Sequence, residues 1–108
     1  MAVFGPYPAV VTSIHDGDTC RVDLDLGFGI HATAFSARLY GINAPELSIA
    51  TGPASRDYLI SVMPVGSHVA VISYGWDKYG GRFDAVVMLN GVNVNDLMVS
   101  SGHAVPMP

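Results

Sequence analysis

The 108-residue sequence predicts a mainly β domain with helices, an α+β fold, and three observations lead to this class. Alternating apolar and polar residues begin at Cys20, as in a half-buried strand. Short runs rich in β-branched and aromatic residues recur between glycine-containing turns. Two segments instead carry helix-start signals, a proline in one and an asparagine in the other. These patterns predict five strands, a helix between the third and fourth strands, and a short C-terminal helix.

The first three predicted strands form an antiparallel meander. A β-branched run covers residues 9–14, and the turn His15-Asp16-Gly17-Asp18 follows it. The second strand places apolar side chains on one face and charged side chains on the other, with Cys20, Val22, Leu24 and Leu26 opposite Arg21, Asp23 and Asp25. Glycines at 27 and 29 mark the next turn, and residues 30–40 form the third strand.

Two helices and two strands follow the meander. The first helix opens at Thr51-Gly52-Pro53, because proline is favoured in the first turn, and it extends to about Met63. The two strands cover residues 68–74 and 83–89, with a polar, glycine-rich loop between them. Asn95 is expected to cap the last helix. This order is typical of one domain folded as a closed, five-stranded OB-type β-barrel, and an unclosed α+β sandwich is the alternative.

Composition limits the functions open to the chain. Hydrophobic residues make up 50% and charged residues 13%, a balance that excludes intrinsic disorder and favours self-association. The formal net charge of −4 and the pI near 5.2 argue against a broad phosphate-binding surface. Any binding of nucleic acid must therefore be local and must depend on a few placed cations, which are Arg21, Arg38, Arg56, Lys78 and Arg82.

Cysteine content and hydropathy bear on the cellular setting. The single Cys20 excludes an internal disulfide and a cysteine-rich zinc site. Pro64 and Gly66 interrupt the longest uncharged stretch, residues 58–76, so no membrane span is predicted. No lysine or arginine precedes Arg21, so no signal peptide is evident. We therefore expect an intracellular, reducing setting, the cytoplasm.

Rare charged residues supply the candidate site. Glu46 is the only glutamate and follows Pro45 in a loop, although taken alone it is explained as a solubilising surface charge. Asp18 has the strand parity of the inward-facing Cys20, so it needs a partner such as a hard cation or an arginine. Three cations lie at loops or strand ends that a barrel brings together with Glu46, namely Arg38, Lys78 and Arg82.

An ordered set of short motifs covers nearly the whole chain. It comprises Asp16-Gly17-Asp18-Thr19, Arg38-Leu39, Gly41-Ile42-Asn43-Ala44-Pro45-Glu46, Gly52-Pro53-Ala54-Ser55, Asp77-Lys78-Tyr79-Gly80-Gly81-Arg82, Val94-Asn95 and Gly102-His103-Ala104. In order and spacing, the set resembles the staphylococcal-nuclease-like (thermonuclease) family. The resemblance implies an OB-type barrel and calcium-dependent hydrolysis of DNA or RNA phosphodiesters, with products that carry a 5′-hydroxyl and a 3′-phosphate.

The resemblance implies a metal site. Asp18 looks like the carboxylate that ligates calcium, Asn43 takes the place of a second ligand carboxylate, and Ala44 that of a ligand through its backbone carbonyl. Calcium is a hard cation that takes such oxygen ligands. Because Asn43 replaces the family's usual aspartate, one negative charge is missing and we expect weaker binding, with Mg²⁺ or Mn²⁺ as alternatives to Ca²⁺.

The resemblance also implies catalytic and substrate-binding groups. Glu46 resembles the general base that takes a proton from the attacking water. Arg38 and Arg82 resemble the two arginines that bind the phosphate, where guanidinium forks stabilise charge in the transition state. Lys78 and Tyr79 resemble residues that line the nucleotide end of the cleft.

Two further features depart from the family pattern. The loop reads Gly80-Gly81-Arg82, with one glycine more than the family's, and a bulge that lets Arg82 reach the cleft is preferred to a loop that points it elsewhere. After Ala104 there is no counterpart to the family's final helix or to its base-holding aromatic residues. We therefore expect weak substrate binding and a homo-oligomer that covers apolar surface.

The resemblance, supported by the placement of these rare residues, implies a metal-dependent endonuclease that acts on single-stranded or flexible DNA, RNA or both. The alternative is a non-catalytic OB-fold module that binds nucleic acid or protein. Retention of Asp18, Arg38, Glu46 and Arg82 favours the enzyme, whereas Asn43 favours the module. A structural or assembly subunit would explain the apolar composition but not where the rare residues lie.

Overall fold

The computed structural model describes residues 2–107, which form eight strands and two helices. The strands are β1 (Phe4–Asp16), β2 (Thr19–Gly27), β3 (Ile30–Leu39), β4 (Ile42–Asn43), β5 (His68–Trp76), β6 (Phe83–Leu89), β7 (Val92–Asn93) and β8 (Val105–Pro106). Helix α1 spans Gly52–Val62 and helix α2 spans Val94–Ser100. Neither helix within residues 2–107 has the length and apolar character that a bilayer crossing needs.

Five of the strands close into a barrel. β1 pairs antiparallel with both β2 and β5, β2 pairs with β3, and β5 pairs with β6. A parallel pairing of β3 with β6, from Ala37↔Phe83 to Leu39↔Ala85, completes the ring. The predicted five-stranded OB-type barrel is therefore confirmed, with α1 between its third and fourth strands, and the unclosed sandwich is excluded.

Side chains that alternate along the strands fill the barrel. Three apolar residues of β2 are buried as the alternation predicts, namely Cys20, Val22 and Leu24, whereas Leu26 at the strand's end is 40% exposed. Leu59 of α1 and Met98 of α2 are fully buried in the same core. Burial of such side chains supplies most of the free energy that favours folding, so barrel and helices are stabilised together.

Strand β1 is longer than the predicted residues 9–14, since it begins at Phe4 and ends at Asp16. In the register, pairing with β2 starts at Ala9, while the segment before Ala9 pairs with β5, for example through Pro8↔Ala70. Proline lacks a backbone donor and is tolerated where only one side of a strand is paired. Because proline is uncommon in strands, the prolines near the N-terminus make the first part of this strand resemble a loop in the sequence.

Helix α2 starts differently from the prediction. Asn93, and not Asn95, is the N-cap residue, and its side-chain oxygen accepts a hydrogen bond from the backbone N–H of Asp96 (3.0 Å). The predicted capping role of Asn95 is wrong because Asn95 lies on the buried side of the helix, 2% exposed. Its side chain accepts from the N–H of Val87 and donates to the carbonyls of Tyr40 and Ala85, which ties the helix to the barrel wall.

Helix α1 begins against the loop that carries Glu46. A Cβ atom at Gly52 would overlap the backbone carbonyl of Glu46, so only glycine permits this approach. The same carbonyl accepts a hydrogen bond from the N–H of Ile49 (2.9 Å). Ser55, one turn into the helix, is buried and donates through its hydroxyl to the carbonyl of His103 (2.7 Å). The start of α1 therefore fixes the backbone of the loop at Glu46.

Candidate active site

The turn between β1 and β2 places Asp18 beside the loop after β4. Asp18 is 6% exposed, and its Oδ2 accepts a hydrogen bond from the backbone N–H of Ala44 (2.9 Å). Its Oδ1 accepts from the hydroxyl of Thr19 (3.0 Å). The backbone N–H of Asp18 in turn donates to Asp16 (3.0 Å), as in a turn stabilised by an aspartate side chain. A buried carboxylate thus lies against the Asn43–Ala44 peptide.

Arg38, at the end of β3, is buried next to Asp18. Its Nη2 lies 3.8 Å from Asp18 Oδ2 and 3.7 Å from the Met107 sulfur. Its Nη1 lies 3.5 Å from the carbonyl oxygen of Leu39. Charge-assisted hydrogen bonds are usually about 2.7–2.9 Å long, so all these contacts are weak. The guanidinium is held in place, yet its donors remain available to a stronger acceptor.

Arg38 lines one wall of a cavity of about 440 Å³, which we call the arginine cleft. The cleft also contains three of the other sequence-predicted residues, Lys78, Tyr79 and Arg82. The ammonium of Lys78 lies 5.1 Å from the centre of the Tyr79 ring, within range of a cation–π contact. Three of the chain's five lysine and arginine residues therefore share one concave surface.

The loop between β5 and β6 brings Arg82 to this cleft. A hydrogen bond from the Asp77 N–H to the Arg82 carbonyl (2.8 Å) closes the loop, and the Arg82 Nε lies 3.4 Å from the Asp77 carboxylate. Gly80 and Gly81 adopt φ values of +75° and +76°. L-residues with side chains rarely adopt this conformation, so both glycines are needed for the turn. The additional glycine is accommodated within the loop, and Arg82 still reaches the cleft.

Two carboxylates in the arginine cleft were missed by sequence reasoning, Asp77 and Asp84. A hydrogen bond from the Tyr79 N–H, followed by the charges of Arg82 and Arg38, lowers the pKa of Asp77 below its ordinary value. Burial, followed by the negative charge of Asp77, raises the pKa of Asp84. Asp77 is thus the ionised partner of Arg82. The only available signal was its place at the start of the Asp77-Lys78-Tyr79 motif.

Asn43 and Glu46 are not among the residues that line the arginine cleft. Asn43 pairs with Val105 in the β4–β8 ladder and lines a different cavity of about 540 Å³, together with Ser55 and His103. Glu46 is exposed in the loop that follows Ala44. The structure therefore brings Arg38, Arg82, Lys78 and Tyr79 together, and it joins Ala44 to Arg38 through Asp18.

The donors near Asp18 fit a hard divalent cation. Burial raises the pKa of Asp16, and a contact with the Asp18 carboxyl raises it further, so two acidic groups lie close together. The Asn43 amide at the end of β4 and the carbonyl of the next residue, Ala44, are neutral oxygen donors. Within residues 2–107, no three His, Cys, Asp or Glu side chains form a metal-binding group. Carboxylate, amide and carbonyl oxygens are nevertheless the kind of ligands that calcium takes.

The fold and the site define a small, closed β-barrel protein in which three cationic side chains line one cleft. Comparison with known families identifies it further, because a family model described as "Staphylococcal nuclease homologue" matches residues 36–107. The chain belongs to the staphylococcal nuclease-like family.

Two curated relatives show the extent of this similarity. An "Uncharacterized endonuclease" of Escherichia coli O157:H7 is 33% identical over 105 residues, which is 91% of this chain and 64% of that protein. A "Probable staphylococcal-like nuclease CAN3" of Oryza sativa subsp. japonica is 32% identical over 73 residues, 68% of this chain and 19% of that protein. The chain thus spans less than two thirds of the length of either relative.

Proposed function

We propose that the chain is a metal-dependent endonuclease that hydrolyses phosphodiester bonds in DNA, RNA or both. The observation that carries the proposal is the grouping of Arg38, Lys78 and Arg82 in one cleft of an acidic protein. Membership of a nuclease family implies a nucleic-acid substrate. The relatives named as an endonuclease and a staphylococcal-like nuclease agree with this activity.

Arg38 and Arg82 bind the scissile phosphate in this proposal. Both guanidinium groups face the arginine cleft, and the nearest acceptors around Arg38 lie at 3.5 Å or more. A phosphate oxygen accepts shorter, charge-assisted hydrogen bonds from such forks. Because guanidinium stays protonated, the two side chains also stabilise the negative charge that develops on phosphorus oxygens in the transition state.

Glu46 is the proposed general base. Its exposed carboxylate accepts a proton from a water molecule as the water oxygen forms its bond to phosphorus. The bond from phosphorus to the 5′ oxygen breaks, and that oxygen takes a proton from solvent to become the 5′-hydroxyl. The 3′ side retains the phosphate. The packing of Gly52 on the Glu46 carbonyl supports this role, because it orders the loop next to Ala44 and Asp18.

A divalent cation is the proposed cofactor, and members of this family are typically calcium-dependent. The Asp18 carboxylate, the Asn43 side-chain oxygen and the Ala44 carbonyl would hold it. When bound, the cation supplies positive charge that offsets the charge of the phosphodiester. Mg²⁺ or Mn²⁺ are alternatives in a site with so few formal charges.

Lys78 and Tyr79 form the proposed nucleotide-binding side of the cleft. Tyr79 is 80% exposed, and the Lys78 ammonium lies over one face of its ring, which leaves the other face for a base. Stacking of this kind requires an unpaired base. Single-stranded or flexible nucleic acid is therefore the proposed substrate.

One observation favours the alternative of a non-catalytic binding module. Neither Asn43 nor Glu46 is among the residues that line the cavity with Arg38 and Arg82. A protein that retains the cations but does not combine them with a base and a metal would bind nucleic acid without cutting it. The two proposals therefore agree on the ligand and differ on catalysis.

Incubation with labelled single-stranded DNA and RNA, with calcium or with a chelator, separates the two functions. The enzyme predicts cleavage that needs calcium and falls by roughly 10²–10⁴-fold in Glu46→Gln. Asp57→Asn, which removes an exposed acid from α1, is the matched control and should cleave normally. Binding without cleavage in calcium, magnesium and manganese would favour the module.

A further inference from the structure

Two exposed aromatic side chains meet at the edge of the arginine cleft. The rings of Phe35 on β3 and Trp76 on β5 are 5.6 Å apart between centroids and inclined by 40°. Trp76 is 65% exposed and Phe35 is 38% exposed. Large aromatic side chains are usually better covered than this, so the pair is a candidate for binding a ligand.

A β-bulge precedes Phe35 and turns it out of the regular register. Between Val22↔Phe35 and Leu24↔Ala32, the single residue Asp23 faces two residues of β3. One of the two is Ala34, which has φ +56°, a conformation that residues other than glycine rarely adopt. The bulge is held from both sides, because the Ala34 N–H donates to Asp23 (2.7 Å) and the Ala34 carbonyl accepts from Arg21 (2.9 Å).

A second bulge precedes Trp76. Between Ser73↔Ala85 and Trp76↔Phe83, two residues of β5 face one residue of β6. Gly75 supplies the required positive φ of +91°, and its N–H donates to the Ser73 hydroxyl (3.1 Å). Bulges redirect side chains and are enriched beside functional sites. A bulge in β3 and a bulge in β5 therefore lie directly before the two aromatic residues whose rings are in contact.

Positive charge flanks the aromatic pair on both sides. Trp76 lines the arginine cleft and also lines a neighbouring cavity of about 320 Å³ formed with Arg21, Ser36 and Gly81, which we call the rim cavity. Four of the chain's five lysine and arginine residues line one or other of these cavities, namely Arg21, Arg38, Lys78 and Arg82. In a protein with a net charge of −4, cations on either side of a stacking surface match the alternation of phosphates and bases in a single strand.

We propose that Trp76 and Phe35, with Arg21, form a second nucleotide subsite that binds the strand beyond the scissile phosphate. Trp76 stacks on an unpaired base, and Arg21 contacts a phosphate in the rim cavity. This inference rests on the proposed function for its ligand, single-stranded nucleic acid, but it does not depend on cleavage. It makes Trp76 a residue that determines how long a substrate must be to bind well.

Binding in the presence of a chelator tests the subsite without cleavage. The probes are fluorescein-labelled oligothymidylates of about 8 and about 2 nucleotides, which bracket the small end of OB-fold site sizes. Trp76 is the only tryptophan, so base stacking should quench the intrinsic fluorescence of the wild-type protein with the longer probe. Trp76→Ala should weaken binding of the longer probe by about 5-fold or more and leave the shorter probe unchanged.

Matched variants separate stacking from structural damage. Trp76→Phe should retain most of the affinity, because phenylalanine also offers a ring face. Phe28→Ala removes another exposed aromatic residue, which lines neither cavity, and should have no effect. Arg21→Gln should weaken binding of the longer probe and reduce the slope of log affinity against log salt by about 0.7. Circular dichroism verifies that each variant is folded.

Several outcomes would overturn the inference. Equal affinity of Trp76→Ala and wild type for the longer probe would exclude the subsite, as would failure of the wild type to bind that probe. A change of oligomeric state in Trp76→Ala, seen by sedimentation, with no change in affinity would assign the aromatic pair to contacts between copies of the chain. Intact binding and quenching without any cleavage would contradict only the proposed catalytic function.

Discussion

Gly52 packs directly on the backbone carbonyl of Glu46, and the lack of a side chain at Gly52 is what allows this contact. Gly52→Ala should therefore force the helix and the loop apart. We expect a loss of about 1–3 kcal/mol in the free energy of unfolding, together with a lower rate of the proposed phosphodiester cleavage.

Urea denaturation and initial cleavage rates measure these two effects of Gly52→Ala. The neighbouring Thr51→Ala is the control, because Thr51 is the N-cap of α1 but its side chain makes no capping hydrogen bond. Equal stability of the two variants would show that the close contact does not constrain the loop.

Asn95 and Asn93 should differ in their effect on stability, although they are only two positions apart. Asn95→Ala removes three hydrogen bonds and leaves the N–H of Val87 and the carbonyl of Tyr40 without this partner, whereas the Ala85 carbonyl still accepts from the Tyr40 N–H. The change should cost about 2–4 kcal/mol. Asn93→Ala removes one capping hydrogen bond at the surface and should cost about 1 kcal/mol. Thermal and urea unfolding of both variants compares them, and a larger effect at Asn93 would contradict the assignment.

Asn43→Asp should strengthen calcium binding if Asn43 is a ligand. The added carboxylate restores one negative charge on a direct ligand, which should strengthen calcium binding by at least about 1–2 kcal/mol. Titration calorimetry with calcium measures the change. Asn90→Asp adds the same charge in the exposed turn after β6 and should leave the affinity unchanged. Similar affinities in both variants would remove Asn43 from the ligand set.

Cys20 should make stability sensitive to alkaline pH. Burial raises the pKa of its thiol from 9.0 to about 12, so the folded protein retains a proton that the unfolded chain releases. The stabilisation from the protonated thiol is present below about pH 9 and is lost as the pH rises from about 9 to about 12. At pH 10 the free energy of unfolding should be lower by about 1 kcal/mol.

Denaturant unfolding across this pH range measures the contribution of Cys20. For Cys20→Ala, the free energy of unfolding is compared with its own value at pH 8. It should decline less at alkaline pH than in the wild type, because the variant has no thiol. If the free energy of unfolding depended on pH in the same way in both proteins, the thiol of Cys20 would make no such contribution. Native Cys20 should also react slowly with thiol reagents, because its side chain is inaccessible.

The fold was largely predictable from local patterns, and its exceptions have physical causes. Alternation at Cys20, Val22 and Leu24 identifies a half-buried strand because each residue's neighbour points to solvent. The role of Asn95 was predicted wrongly because two asparagines, at positions 93 and 95, offer the same capping signal, and only helix packing decides between them. The part of β1 before Ala9 was not predicted, because it contains prolines and pairs only with β5.

The candidate site was predictable only in part. The grouping of Arg38 with Lys78 and Arg82 depends on barrel closure, which no local pattern encodes. The sequence does not predict that Asp77 and Asp84 line the cleft, because acidic residues in loops and at outer strand positions are usually solvated. Likewise, the bulge at Ala34 arises from hydrogen bonds to another strand, so its sequence carries no signal. The catalytic role of Glu46 and the metal-binding role of Asn43 stay predictions.

The parallel pairing of β3 with β6 is a seam that lies directly beneath the arginine cleft, since Arg38 and Asp84 are partners in its register. The residues on its two sides are distant in the chain, so closing the seam costs more chain entropy than closing the local hairpins. Partial opening there would separate Arg38 from Arg82 without melting the rest of the barrel. The Tyr40 N–H donates to the Ala85 carbonyl across this seam (2.8 Å), so its amide exchange would report the fraction of molecules in which the two arginines are held together.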